Sequence, residues 1–107
     1  MENQKIDLII EKLIEQTKSG KLQWKKTSNT YTYLLALKDS SISLTNNPFG
    51  YGFICDFRNS NGEVVESISV IPTEPSYGKI KELFDNINRK HLKTDETIDS
   101  ILEQLAA

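Results

Sequence analysis

His91 is the only histidine and Cys55 the only cysteine in this 107-residue chain. These two residues carry most of what proton transfer, nucleophilic attack or soft-metal ligation would draw on. A zinc set needs several ligands at fixed spacing, and no second His, further Cys or pair of acidic helix positions accompanies His91. His91 shares a helical face with Ile80, Phe84 and Ile87 near the end of its helix, the setting of a packed or dipole-compensating imidazole. Cys55 falls mid-strand between Phe53 and Phe57, where apolar surroundings keep a thiol protonated and inert. Asp95, Glu96, Asp99 and Glu103 supply the polar side of the last helix and form no acid–base pair with a recognisable partner. No phosphate-binding loop, dinucleotide fingerprint, HExxH helix or EF-hand loop is present. The expectation is a non-enzymatic chain with no catalytic residues, no metal site and no cofactor.

Two segments carry binding chemistry instead. Lys18, Lys21, Trp24, Lys25 and Lys26 place one tryptophan among four lysines, a combination that stacks a base and holds a phosphate in single-stranded nucleic-acid binders. Packing is the competing use: in an extended chain Leu22 and Trp24 face one way, and the core takes them while the lysines stay in water. Gly50-Tyr51-Gly52-Phe53-Ile54 matches the middle of an RNA-recognition signature. Its ends fail, with Phe49 at the basic position and Asp56 at the last aromatic one, so the glycines read as a bulge or a close backbone approach.

The formal net charge is -2 and the sequence pI about 5.4, without the basic excess that neutralises phosphates. A lone cysteine forms no internal disulfide, and neither a signal-peptide pattern nor a run of about 20 apolar residues occurs. A cytoplasmic setting is therefore expected. Lysine far outnumbers arginine, which occurs only at Arg58 and Arg89, in keeping with an AT-rich bacterial or phage genome.

These residues must be positioned by a single α+β domain spanning residues 1–107. Ile6, Ile9, Ile10, Leu13 and Ile14 recur at helical spacing and predict a helix over 4–18, closed by Gly20. Leu8 points away from that stripe. Alternation at Tyr31, Tyr33, Leu35 and Leu37, then Ile42 and Leu44, then Tyr51 to Phe57, then Val64 to Ile71 predicts four strands, with Asn59-Ser60-Asn61-Gly62 as a reversing turn. Short connections require an antiparallel meander in chain order. Beyond Pro72 and Pro75, Ser76 is placed to cap a helix carrying Ile80, Leu83, Phe84 and Ile87, and Thr94 or Asp95 a last one carrying Ile98, Ile101, Leu102 and Leu105. The predicted architecture is an N-terminal helix, a four-stranded antiparallel meander and two C-terminal helices packed on one sheet face.

This order of elements, with Gly20-Lys21-Leu22-Gln23-Trp24-Lys25-Lys26-Thr27 joining the first helix to the meander, resembles small α+β proteins of bacteria and their mobile elements. The resemblance implies no activity, but proteins of that kind act as accessory subunits, inhibitors or immunity factors by binding another protein. The resulting expectation is a protein-binding module with a protein partner or a second copy as its target. Leu34, Ala36 and Ile54 on the open sheet face, together with Leu8, are the candidate contact residues. Single-stranded nucleic-acid binding through the lysine–tryptophan segment is the alternative, and a nucleotide-like ligand beside the Phe49-Gly50-Tyr51 loop a further one. The apolar stripe of the last helix is expected to dock on the helix containing Leu83 or on the first helix of a second copy, since so short a helix does not persist unsupported.

Overall fold

The computed structural model describes residues 4–47 and 50–106. The first helix, α1 (Gln4–Lys18), has the predicted bounds. It ends in a Schellman motif: Lys21 N–H donates to the Gln16 carbonyl at 3.0 Å and Gly20 N–H to that of Thr17 at 3.2 Å, with Gly20 at φ +83. The strands β1 (Lys25–Lys26), β2 (Thr32–Ala36), β3 (Ser41–Asn46), β4 (Phe53–Arg58) and β5 (Val64–Val70) pair antiparallel in chain order. The meander is as expected, with the two-residue β1 added at its edge, too short to give an alternation signal. The β4–β5 reversal is held by Asn59, whose Oδ1 accepts from the backbone N–H of Asn61 at 3.0 Å and of Glu63 at 3.1 Å.

Register sorts the sheet into two faces. Tyr33, Leu44, Cys55 and Ile68 share one row, and Leu35, Ile42 and Phe57 the next. This face meets Ile10 and Leu13 of α1 and Ile80, Leu83, Phe84 and Ile87 of α2 (Tyr77–Leu92) in the core. Phe84 packs against both Tyr33 and Phe53, with centroids 5.6 and 5.2 Å apart. The Tyr33 hydroxyl donates to Asn88 Oδ1 at 2.7 Å, so the buried phenol keeps its hydrogen bond. Two ion pairs, Glu11–Lys79 and Lys18–Glu82, each 2.7 Å, clip α1 to α2 along their exposed edge. Ser76 occupies the N-cap of α2 but its side chain makes no capping hydrogen bond, because its backbone is already helical at φ -80 and ψ -8.

Lys93 closes α2 in the left-handed conformation and is the only residue between it and α3 (Thr94–Ala106). An Arg89–Asp95 ion pair braces the junction. No residue of α3 is buried, and its stripe is open: Ile98 is 47%, Ile101 51%, Leu102 61% and Leu105 78% exposed. The stripe does not dock on the helix containing Leu83. The left-handed turn sends α3 away from the body, and a 13-residue helix reaches about 20 Å. The extents of 55 × 33 × 26 Å reflect this. The radius of gyration is 15.4 Å, against about 13 Å for a compact chain of this length.

Candidate protein-binding surface

Leu34, Ala36 and Ile54 do lie on the sheet face away from the helices, but their cross-strand neighbours are hydroxyls and charges. Leu34 pairs with Ser43, which pairs with Asp56 and then Ser67, while Ile54 sits between Thr45 and Ser69. These polar groups satisfy one another: Arg58 Nη1 donates to Ser43 Oγ at 2.8 Å, Ser67 Oγ to Asp56 Oδ1 at 2.5 Å, and Thr32 and Thr45 share a 2.9 Å hydrogen bond. The open face is a polar lattice holding two half-buried aliphatic side chains, rather than a continuous apolar patch.

Leu8 lies on the other side of the sheet and belongs to a different surface. An apolar groove of about 610 Å³ runs between the outer flank of α1, the β2–β3 turn and the bulged start of β5. Leu8, Ile9 and Leu13 form its α1 wall, and Leu37, Phe57 and Val65 the wall opposite. Leu8, Ile9, Leu37 and Val65 are exposed. The shift in pairing between Phe57 and Arg58 sets Val65 out of the ladder, which re-aims an aliphatic side chain toward the groove. Lys12 and Asp39 also line the groove, whereas the Arg58 guanidinium is held on the opposite sheet face by Ser43 and Asp56. Of these groove residues the sequence singles out only Leu8. The others are neighbours solely through the packing of α1 over the strand ends.

The lysine–tryptophan segment divides between the sheet faces. Trp24 turns inward, where it is half-buried against the core and its Nε1 donates to the buried Thr17 hydroxyl at 3.0 Å. The Lys26 ammonium lies 4.3 Å from the centroid of the Tyr33 ring. Lys25 pairs with Leu34 on the opposite face, and Lys18 is bound to Glu82. Lys21 is exposed in the connection. The indole is thus used in packing, and the four lysines do not converge on one groove.

His91 is exposed at the end of α2, its ring edge-on to Tyr33 at 5.6 Å, so it is an aromatic neighbour rather than a core residue. Tyr51 is open to solvent, and Gly50 approaches Asn47. Phe49, the remaining member of the loop considered for a ligand, lies outside the described residues. Among the described residues no group of three or more His, Cys, Asp and Glu is arranged to hold a metal ion, and no helix is long and apolar enough to cross a membrane.

Cys55 is buried, and burial together with the neighbouring Asp56 carboxylate pushes its thiol up to about 12. The folded protein is therefore expected to resist a thiol-specific reagent at pH 8 until denaturant is added. The folded-state value is raised, so its contribution to stability is intact below the ordinary thiol value near 9. That contribution is lost as pH rises from about 9 through 12, where the unfolded thiol ionises first. Rapid labelling of the native protein would contradict the buried placement.

The fold and the surface define a small α+β meander protein with an apolar groove on one flank and an uncovered amphipathic helix at its end. No protein-family model, curated protein or solved structure matches the chain. Its function is therefore argued from these surfaces.

Proposed function

We infer that the protein is a non-enzymatic protein-binding module of the accessory-subunit, inhibitor or immunity type, working in the cytoplasm of a bacterium or on behalf of a phage. The uncovered stripe of α3 is the observation that carries this reading. Four large aliphatic side chains on a 13-residue helix stand in solvent, although an isolated helix of that length is marginal in water. Such a helix draws its stability from whatever it lies against. The flank groove adds a second apolar surface, also larger than scattered surface leucines account for. The inert Cys55 and the inward-turned Trp24 support binding by apolar contact over covalent chemistry or base stacking.

Affinity capture from bacterial cells producing the chain tests this. Wild type is expected to retain partner protein, and Leu102→Glu, which leaves the core untouched, to retain at least about tenfold less. Equal capture by both, or capture of nothing combined with no self-association, overturns the reading.

A further inference from the structure

The apolar residues of α3 repeat those of α2 at a constant offset. Ile80, Leu83, Phe84 and Ile87, which face the core, recur eighteen positions later as Ile98, Ile101, Leu102 and Leu105. Eighteen residues are about five full turns at 3.6 per turn, so on one continuous helix the two sets share a single line. His91 and Thr94 fall on that line between them. No Gly or Pro occurs from Lys79 to Ala107, and Lys93 is the only non-glycine with positive φ among the described residues. A left-handed conformation costs a residue with a side chain roughly five- to thirtyfold in population. The apolar period thus runs straight through the joint at which the backbone turns.

Little holds the bend. Lys93 N–H donates to the carbonyls of Arg89 and Lys90, and the Lys93 carbonyl accepts from Thr97 N–H at 2.9 Å. Lys93 therefore ends one helix and begins the next, which leaves the N–H groups of Thr94, Asp95 and Glu96 without intrahelical partners. Straightening pairs them with the carbonyls of Lys90, His91 and Leu92. The Arg89–Asp95 pair that braces the bend is exposed at both ends, where an ion pair contributes little. As a separate helix with no buried residue, α3 carries its own nucleation cost, whereas an extension of the docked α2 needs only propagation. Charge favours the bend: Arg89, Lys90 and His91 close α2, and Asp95 and Glu96 open α3, as suits two separate helix ends. One segment thus supports two arrangements.

We propose that Lys93 is a two-state hinge. The chain exchanges between the bent form and one in which α2 and α3 fuse into a single helix over 77–106, about 45 Å long, as Lys93 passes from the left-handed to the right-handed region. In the fused form the stripe of α3 prolongs the core-facing line of α2 beyond Leu92. This goes beyond the protein-binding reading, because it concerns the direction in which the stripe is presented and holds whatever covers that stripe. Anything that binds one form better shifts the two populations.

Pulsed dipolar spectroscopy of the full chain, spin-labelled at Lys81→Cys and Asp99→Cys, tests the hinge. Both positions are exposed, and the buried Cys55 does not compete for the label. They too are eighteen residues apart, so the fused helix sets them on one side at about 27 Å, and the bent form gives a second distance. The chain with Lys93 intact is expected to show both. Lys93→Gly relieves the left-handed conformation and weakens a continuous helix, so it is expected to lower the fused-to-bent ratio at least about tenfold. Lys93→Ile, whose branched side chain tolerates positive φ least, is expected to move the distribution to the fused distance. Lys93 is exposed, so both variants should keep the wild-type thermal unfolding of the body. A single distance with Lys93 intact overturns the hinge, as does a ratio unmoved by Lys93→Gly or a bent distance that persists in Lys93→Ile. None of these outcomes touches capture through Leu102, which decides the protein-binding reading separately.

Discussion

Leu83→Ala is expected to lower the free energy of unfolding by about 2–5 kcal/mol, the range for a fully enclosed leucine. Leu83 is 0% exposed, at the centre of the α2 face that meets α1 and the sheet. Its removal leaves a void walled by residues on three elements, none of which can collapse into it without disturbing the others. Leu102→Ala provides the control. From the sequence alone Leu102 belongs to a buried stripe with a cost in the same range, whereas its side chain stands open in the single chain. In dilute solution its loss is expected to be below about 0.5 kcal/mol, as for a surface site. Urea unfolding of both variants at two protein concentrations checks these values. Equal losses for Leu83 and Leu102 in dilute solution would contradict the placement of α3.

Gly52→Ala is expected to be at least as damaging, on the order of 3 kcal/mol or more, by combining overpacking with backbone strain. A Cβ built at Gly52 falls 1.8 Å from the Val70 carbonyl oxygen and 2.9 Å from its carbonyl carbon, and the residue sits at φ +126. Both obstructing atoms are backbone, so no rotamer change relieves the overlap. The strands must part where Phe53 pairs with Val70, the last rung of the β4–β5 ladder. Gly20→Ala separates the two contributions. Gly20 is also at positive φ, but nothing lies within 4 Å of its added Cβ, so only the conformational cost of about 1 kcal/mol applies. Thermal unfolding of the pair should show a several-fold larger shift for Gly52. Similar shifts would mean that the close approach to Val70 does not hold in solution.

Much of the fold was legible because local rules produced it. The spacing of Ile6, Ile10 and Leu13 is a helix period, and Gly20 follows it where a left-handed cap belongs. Asn59-Ser60-Asn61-Gly62 supplies its own turn hydrogen bonds. The inert Cys55 and the close approach at Gly52 were also readable, since strand parity buries the one and a glycine before an aromatic strand marks the other. The candidate surface was legible only at Leu8, a leucine outside its helix's stripe. Leu37, Phe57 and Val65 join it because a turn, a strand end and a bulge meet in space, and no periodicity encodes that meeting.

By itself, then, the sequence determined the helices, the antiparallel order of the meander and the side of each element that is apolar, because side-chain period and short connections leave little choice. It also established that α3 has a stripe in need of cover. That the body of the chain leaves this stripe uncovered was decided by tertiary structure. Lys93 takes a left-handed conformation and turns α3 off the body, α1 and α2 already fill the sheet face, and register places Leu34 and Ile54 among hydroxyls. Amphipathicity specifies that a face must be buried, whereas the angle of a one-residue joint and the space left by other elements determine where.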